Sequence, residues 1–151
     1  MISTLRQLFQ RDLLRLHDEI SAYKSEANLW ITSGEITNSG GNLSLHLVGN
    51  LNTFICGELG NSGYVRDRPA EFNDKNIPRA TMLQQILDTR ALVDQTLANL
   101  SPEDLEEMYS LELRSEKMTT GFFLMHLLAH LSYHLGQVNY HRRMLDVPPL
   151  N

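Results

Sequence analysis

Cysteine, positive charge and long apolar runs are all scarce in this 151-residue chain, and each scarcity removes a class of protein. A single cysteine, Cys56, permits no internal disulfide, so a reducing, cytoplasmic setting is the default expectation. Thirteen Lys and Arg stand against eighteen Asp and Glu, a net charge of −5. No basic stripe is left to track a phosphate backbone, which argues against nucleic acid as a partner. The start of the chain, Met1-Ile2-Ser3-Thr4-Leu5-Arg6, lacks the basic and apolar blocks of a signal peptide. The longest apolar stretch, from Phe122 to Leu131, is broken by histidine and falls short of a membrane span. Also missing are a glycine loop for phosphate, a Ser-His-Asp order and any Glu-x-x-His motif, and the last of these argues against a di-iron carboxylate site.

What remains is helical pattern. Ile2, Leu5, Phe9, Leu13, Leu16, Ile20, Tyr23 and Ala27 step by three or four, which predicts an amphipathic first helix of about seven turns. After a turn-rich connector over Trp30 to Gly41, the stretch Asn38-Ser39-Gly40-Gly41-Asn42 offers caps for a second helix, expected from about Gly41 to Glu58 with Gly60 as its stop. Asn61 to Pro78 carries no sustained apolar period and reads as a long crossing loop. Leu83, Ile86, Leu87, Val93 and Leu97 mark a third helix over about Arg79 to Leu100. Ser101-Pro102-Glu103-Asp104 starts a short extra helix, and a weakly extended stretch follows over Ser110 to Lys117. Thr119 or Thr120 caps a fourth long helix that runs to about Leu145 and is ended by Pro148 and Pro149. The expectation is all-α: one domain over residues 1–151, a four-helix bundle with a long crossover between helices 2 and 3 and a short extra helix before helix 4.

Three histidines interrupt the apolar face of the last helix. His126, His130 and His134 stand one turn apart, so neighbouring pairs can aim two imidazoles at one point. His46, in the apolar run Asn42 to Leu51, can bring a third imidazole from the second helix. One histidine on an apolar face is ordinarily a core residue bonded to a carbonyl. Four together would desolvate eight ring nitrogens, at about 1–3 kcal/mol for each one left unpaired, and a divalent cation would satisfy three at once. Because His126 and His134 are about 12 Å apart along the axis, one ion takes either His126 with His130 or His130 with His134, and spacing does not choose.

Around these rings, Asn42 and Asn50 flank His46 at one turn on either side, and Gln137 follows His134 by three. Their amides suit the second nitrogen of a ligand ring, although Asn42 equally suits a helix cap and Gln137 a solvent position. Gly49 suits a close helix approach. Cys56 is off the face of His46 and reads as a small core residue, while His17 reads as a flank or surface position with a fourth ligand as the alternative. His141-Arg142-Arg143 reads as a solvated helix end that complements the dipole.

The blocks Asn38-Ser39-Gly40-Gly41-Asn42-Leu43-Ser44-Leu45-His46-Leu47-Val48-Gly49-Asn50-Leu51 and His126-Leu127-Leu128-Ala129-His130-Leu131-Ser132-Tyr133-His134-Leu135-Gly136-Gln137 resemble the DinB-like superfamily of damage-inducible bacterial proteins, and within it a branch known only as a domain of unknown function. The resemblance implies a metal-binding four-helix bundle, commonly a homodimer. Its ligand pattern, one histidine from the second helix and a His-x-x-x-His pair before Gly-Gln on the fourth, falls on His46, His130 and His134 and leaves His126 beside the site. Many relatives carry Arg where this chain has Leu135, so the resemblance does not extend to an anion-binding role there.

A three-imidazole site keeps the full charge of a divalent ion and leaves coordination positions open. Zinc or nickel is the expected ion, with iron, manganese or copper as further options for nitrogen ligands. The leading expectation is a small metalloenzyme that carries out thiol transfer with a low-molecular-weight thiol or hydrolyses a small-molecule substrate. The rival expectations are a non-enzymatic helical stress-response or interaction module with a structural or vestigial metal site, and a bundle whose histidines form a pH-sensitive polar network.

Overall fold

The computed structural model describes residues 1–112 and 115–147. Six α-helices account for most of them: α1 (Ile2–Ser21), α2 (Gly40–Leu51), α3 (Arg68–Asn73), α4 (Arg79–Ala98), α5 (Pro102–Glu106) and α6 (Thr120–Leu145). Among the described residues β pairing is confined to isolated bridges such as that between Met108 and Thr119, so the chain is an all-α bundle as expected. None of its helices is long and apolar enough to cross a membrane, among the described residues.

Helices α4 and α6 each pack on both α1 and α2, and the core is the apolar stripe of each long helix turned inward. Leu5, Phe9, Leu13, Leu16 and Ile20 supply it from α1, and Leu124, Leu127, Leu131, Leu135 and Val138 from α6. On α4 the buried face mixes Met82, Ile86, Val93 and Leu97 with Thr89 and Thr96. The threonine hydroxyls donate to the carbonyls of Gln85 and Leu92 one turn back, which lets a hydroxyl sit in the core without an orphaned proton. Caps fall where the short polar residues stand. Ser39 accepts from Asn42 N, Thr119 from Phe122 N, and Ser101 with Asp104 closes a capping box behind Pro102.

Three expectations need correction. The first helix stops at Ser21 rather than continuing to Ala27, and a 3₁₀ turn follows over Glu26–Trp30. Asp146, buried just beyond α6, accepts from Lys24 N at 2.6 Å, Ser25 N at 3.4 Å and Asn28 Nδ2 at 2.8 Å, so the backbone amides find a carboxylate instead of another helical turn. The second helix loses its regular ladder earlier than Glu58 and becomes a π-helical turn over Asn52–Gly57. There Asn52 Nδ2 and Thr53 Oγ1 donate to the carbonyls of Val48 and Gly49, competing with the normal backbone pairing. The crossing segment Asn61 to Pro78 is not all loop, since α3 lies within it, capped by Asp67 and carrying Pro69 in its first turn. Pro148 and Pro149, expected to end the last helix, lie outside the described residues.

Because Asp146 holds the end of α1 to the end of α6, Asp146→Ala should destabilise the chain by about 1–3 kcal/mol in urea unfolding. Asp146→Asn, which keeps one acceptor oxygen, should lose less.

Candidate metal centre

Helices α2 and α6 run antiparallel. Gly40 lies against His141 near one end, and Phe54 meets Phe123 edge-on at 5.5 Å near the other. Between these contacts His46 faces His130 and His134. The Nε2 atoms of His46 and His130 are 3.2 Å apart, and those of His134 and His130 are 3.1 Å apart. All three rings offer a nitrogen within 4.8 Å of the others. Ligand nitrogens about 2.1 Å from one ion lie about 3.0–3.4 Å from each other, so the spacing suits a shared cation. The rings meet edge to face, with interplanar angles of 80° to 88°.

The far side of each ring decides which nitrogen looks inward. His46 Nδ1 donates to Glu71 Oε1 at 3.0 Å, and His134 Nδ1 donates to Gln137 Oε1 at 2.6 Å, which leaves the Nε2 lone pair of both rings aimed at His130. His130 Nδ1 is buried with no partner, and so is Asn50 Oδ1, one turn beyond His46 on α2. Without a cation, a single proton on His130 Nε2 can bridge to its neighbours while a converging lone pair remains unsatisfied. A divalent ion would satisfy all three, and the donor set therefore fits one.

The protonation tendencies agree. Burial, then the neighbouring rings of His134, His46 and His126, holds His130 down at about 4. Burial also lowers His46, against an opposing pull from Glu71. Both are neutral at pH 7, the form that ligates.

Glu71 backs the cluster, a role that no local pattern in the sequence marks. It comes from α3, is 5% exposed, and its carboxylate takes a two-pronged grip from Arg66: Nε to Oε2 at 2.8 Å and an Nη to Oε1 at 2.8 Å. It reaches His46 only because Gly49 lacks a side chain, since a Cβ there would lie 2.0 Å from Glu71 Oε2. Helix α3 is docked by Asn42, whose Nδ2 donates to the carbonyls of Glu71 and Asp74 while its Oδ1 accepts from Lys75 Nζ. Phe72, on the same short helix, lies 4.9 Å from the His46 ring.

Not every expected neighbour belongs. Asn42 is neither the cap of α2, which is Ser39, nor a partner of His46; it is the tether of α3. His126 is exposed and stacks on Phe123 rather than being buried beside the cluster, so only His46 is deeply buried and His130 and His134 are half-buried. His17 pairs with Asp18 on α1, away from the three rings. His141 overturns the expected solvated terminus: it is buried, donating from Nε2 to Ile31 O at 2.8 Å and accepting at Nδ1 from the Tyr23 hydroxyl at 2.7 Å. Gly40 leaves room for that pair, because a Cβ would strike the Tyr23 hydroxyl. Cys56 is core, and burial pushes its thiol up to about 12, which removes it as a nucleophile at neutral pH.

Two outcomes follow from this geometry. The metal-free chain should lose stability as pH falls from about 6.5 to about 4, because the unfolded state binds protons in that window that folded His130 refuses. Melting temperature against pH, with chelator present, reads it. Gly49→Ala should cost about 1–3 kcal/mol in denaturant unfolding, as the added methyl displaces the Glu71 carboxylate.

No curated protein matches this chain. A family described as "Protein of unknown function (DUF1572)" matches residues 2–148, nearly the whole chain, and the protein belongs to that family.

Proposed function

We propose that this chain is a DinB-like metalloprotein, and that His46, His130 and His134 hold one divalent ion, zinc or nickel by preference, in a small metalloenzyme. The observation that carries the reading is the meeting of three Nε2 atoms, two of them with the opposite ring nitrogen already tied to Glu71 or Gln137. Such ties fix tautomer and ring orientation before any ion arrives. Three neutral ligands leave positions for a substrate or solvent ligand, which separates a catalytic donor set from a closed structural one. When bound, the ion supplies Lewis acidity and makes water or a thiol more acidic at neutral pH. Thiol transfer and hydrolysis of a small molecule both use that property.

The chain's own residues leave room for a small molecule. His134 and Gln137 stand toward solvent, and a cleft of about 300 Å³ opens beside Gln137, walled by Ile36, Leu43, Tyr140 and Met144 with Glu35 at its edge. An apolar-bodied molecule resting there would present its polar end along α6 toward His134. The homodimer is also proposed: Phe122, Met125, Tyr133 and Tyr140 expose an apolar face of α6, and no charged residue lies between Phe122 and Tyr140, so a second copy of the same face meets no like-charge repulsion.

Protein purified without chelator and supplied with zinc or nickel should carry about one ion per chain by elemental analysis, and His130→Ala should fall to the level of a chelator-treated control. Occupancy far below one in the unmodified chain with either metal would refute the metal reading. Full occupancy in a closed sphere, inert toward azide and small thiols, would favour the non-enzymatic module instead. Sedimentation equilibrium should give twice the chain mass, and Tyr133→Glu should return it to the monomer.

A further inference from the structure

We propose that Arg66 and Glu71 form a charge-compensated positioning pair: the carboxylate sets which nitrogen of His46 faces the cluster, and the guanidinium cancels the carboxylate so that the centre favours an anionic ligand. This rests on the metal reading above and adds to it the class of ligand that completes the site.

The geometry separates the two roles. Glu71 Oε1 is shared, taking His46 Nδ1 at 3.0 Å and an Arg66 Nη at 2.8 Å, while Oε2 takes Arg66 Nε at 2.8 Å. Both side chains are largely sheltered, at 6% and 16% exposure, so water screens the pair weakly. A carboxylate alone in that position would lend its negative charge to the ring and, through it, to whatever the ring holds. With the guanidinium forked onto it, the net charge behind His46 is zero. An ion held by three neutral imidazoles then keeps its full +2 toward solvent, and hydroxide, thiolate or carboxylate is attracted in preference to a neutral donor.

A plain structural ion pair would not need this placement. Buried pairs contribute little net stability compared with apolar packing, and this one additionally requires a glycine at position 49 and a dedicated short helix to reach one face of one histidine. Arg66 also lies over the Phe54 ring at 5.6 Å, which fixes the fork in place from the other side.

The test uses the full chain loaded with cobalt(II), azide as the anionic probe followed by visible absorption, and metal affinity from competition with a chromophoric chelator. Glu71→Gln should weaken metal binding by about 10–100-fold. Arg66→Met should keep metal binding or tighten it, and weaken azide about tenfold. The double variant, with both charges gone, should regain wild-type azide affinity to within about twofold while metal binding stays as weak as in Glu71→Gln. That recovery is something a purely structural pair would not give. Should Arg66→Met fail to fold, the comparison moves to Glu71→Gln, whose uncompensated guanidinium should make the loaded centre bind azide more tightly than the wild type does. Arg66→Lys, keeping the charge without the fork, should hold azide near wild type. Azide affinity unchanged in Arg66→Met, or lost equally in Arg66→Lys, overturns the charge argument and leaves the metal reading standing. A wild-type chain that takes up no cobalt, zinc or nickel overturns both.

Discussion

Three imidazole edges meeting between two antiparallel helices is the constraint around which the rest of this molecule is arranged. Nitrogen atoms 3.1 and 3.2 Å apart, with lone pairs converging, do not stabilise a metal-free core. They are held there by packing on both sides: Leu43, Leu47 and Leu51 on α2 and Leu127, Leu131 and Leu135 on α6 are all buried, so the helices cannot part locally without exposing apolar surface. The cluster is a local conflict tolerated by a cooperative core, and such conflicts concentrate where a protein binds something. The orphaned Nδ1 of His130 and Oδ1 of Asn50 lie on the same two helices, so each side of this contact carries a buried polar atom without a partner.

Much of this was legible from residue order. Periodicity located every long helix, because a 3.6-residue stripe is a local property that the chain carries wherever it folds. The caps at Ser101 and Thr119 were readable for the same reason. Helix α3 was not, since six residues are too few to carry a stripe, and its one buried position is Glu71, a residue type that patterning assigns to solvent. A signal did exist in Asp67-Arg68-Pro69, the same cap-then-proline grammar that marked Ser101-Pro102. The charged neighbours Arg142 and Arg143 suggest solvent for His141, but its spacing points inward. It stands three residues beyond Val138 and seven beyond His134, on the stripe that the rest of α6 buries.

Two of the features that sequence order could not reveal share a cause: a partner more than twenty residues away. The end of α1 is set by Asp146, over 120 residues later. The tautomer of His46 is set by Glu71, 25 residues on, and the fit of Glu71 depends in turn on Gly49 having no side chain. Gly49 could be read as permitting a close approach, but not as permitting the approach of a carboxylate. What reads from local pattern is the scaffold and the donor atoms; what needs the fold is their orientation, and orientation is what turns three histidines into a set.

The set is also lopsided. His46 is 7% exposed, backed by Glu71 and covered by Phe72, with the guanidinium of Arg68 lying 5.2 Å from the Phe72 ring on the outside. His130 and His134 are half-buried, and their neighbours on α6, Tyr133 and Gln137, stand in solvent. The α3 side therefore covers the cluster, and the α6 side borders solvent. The polar backing of His46 thus comes from the buried α3 side, whereas His134 is held from the exposed turn of α6, where Gln137 ties its Nδ1 in solvent and Tyr133 stands clear of the core.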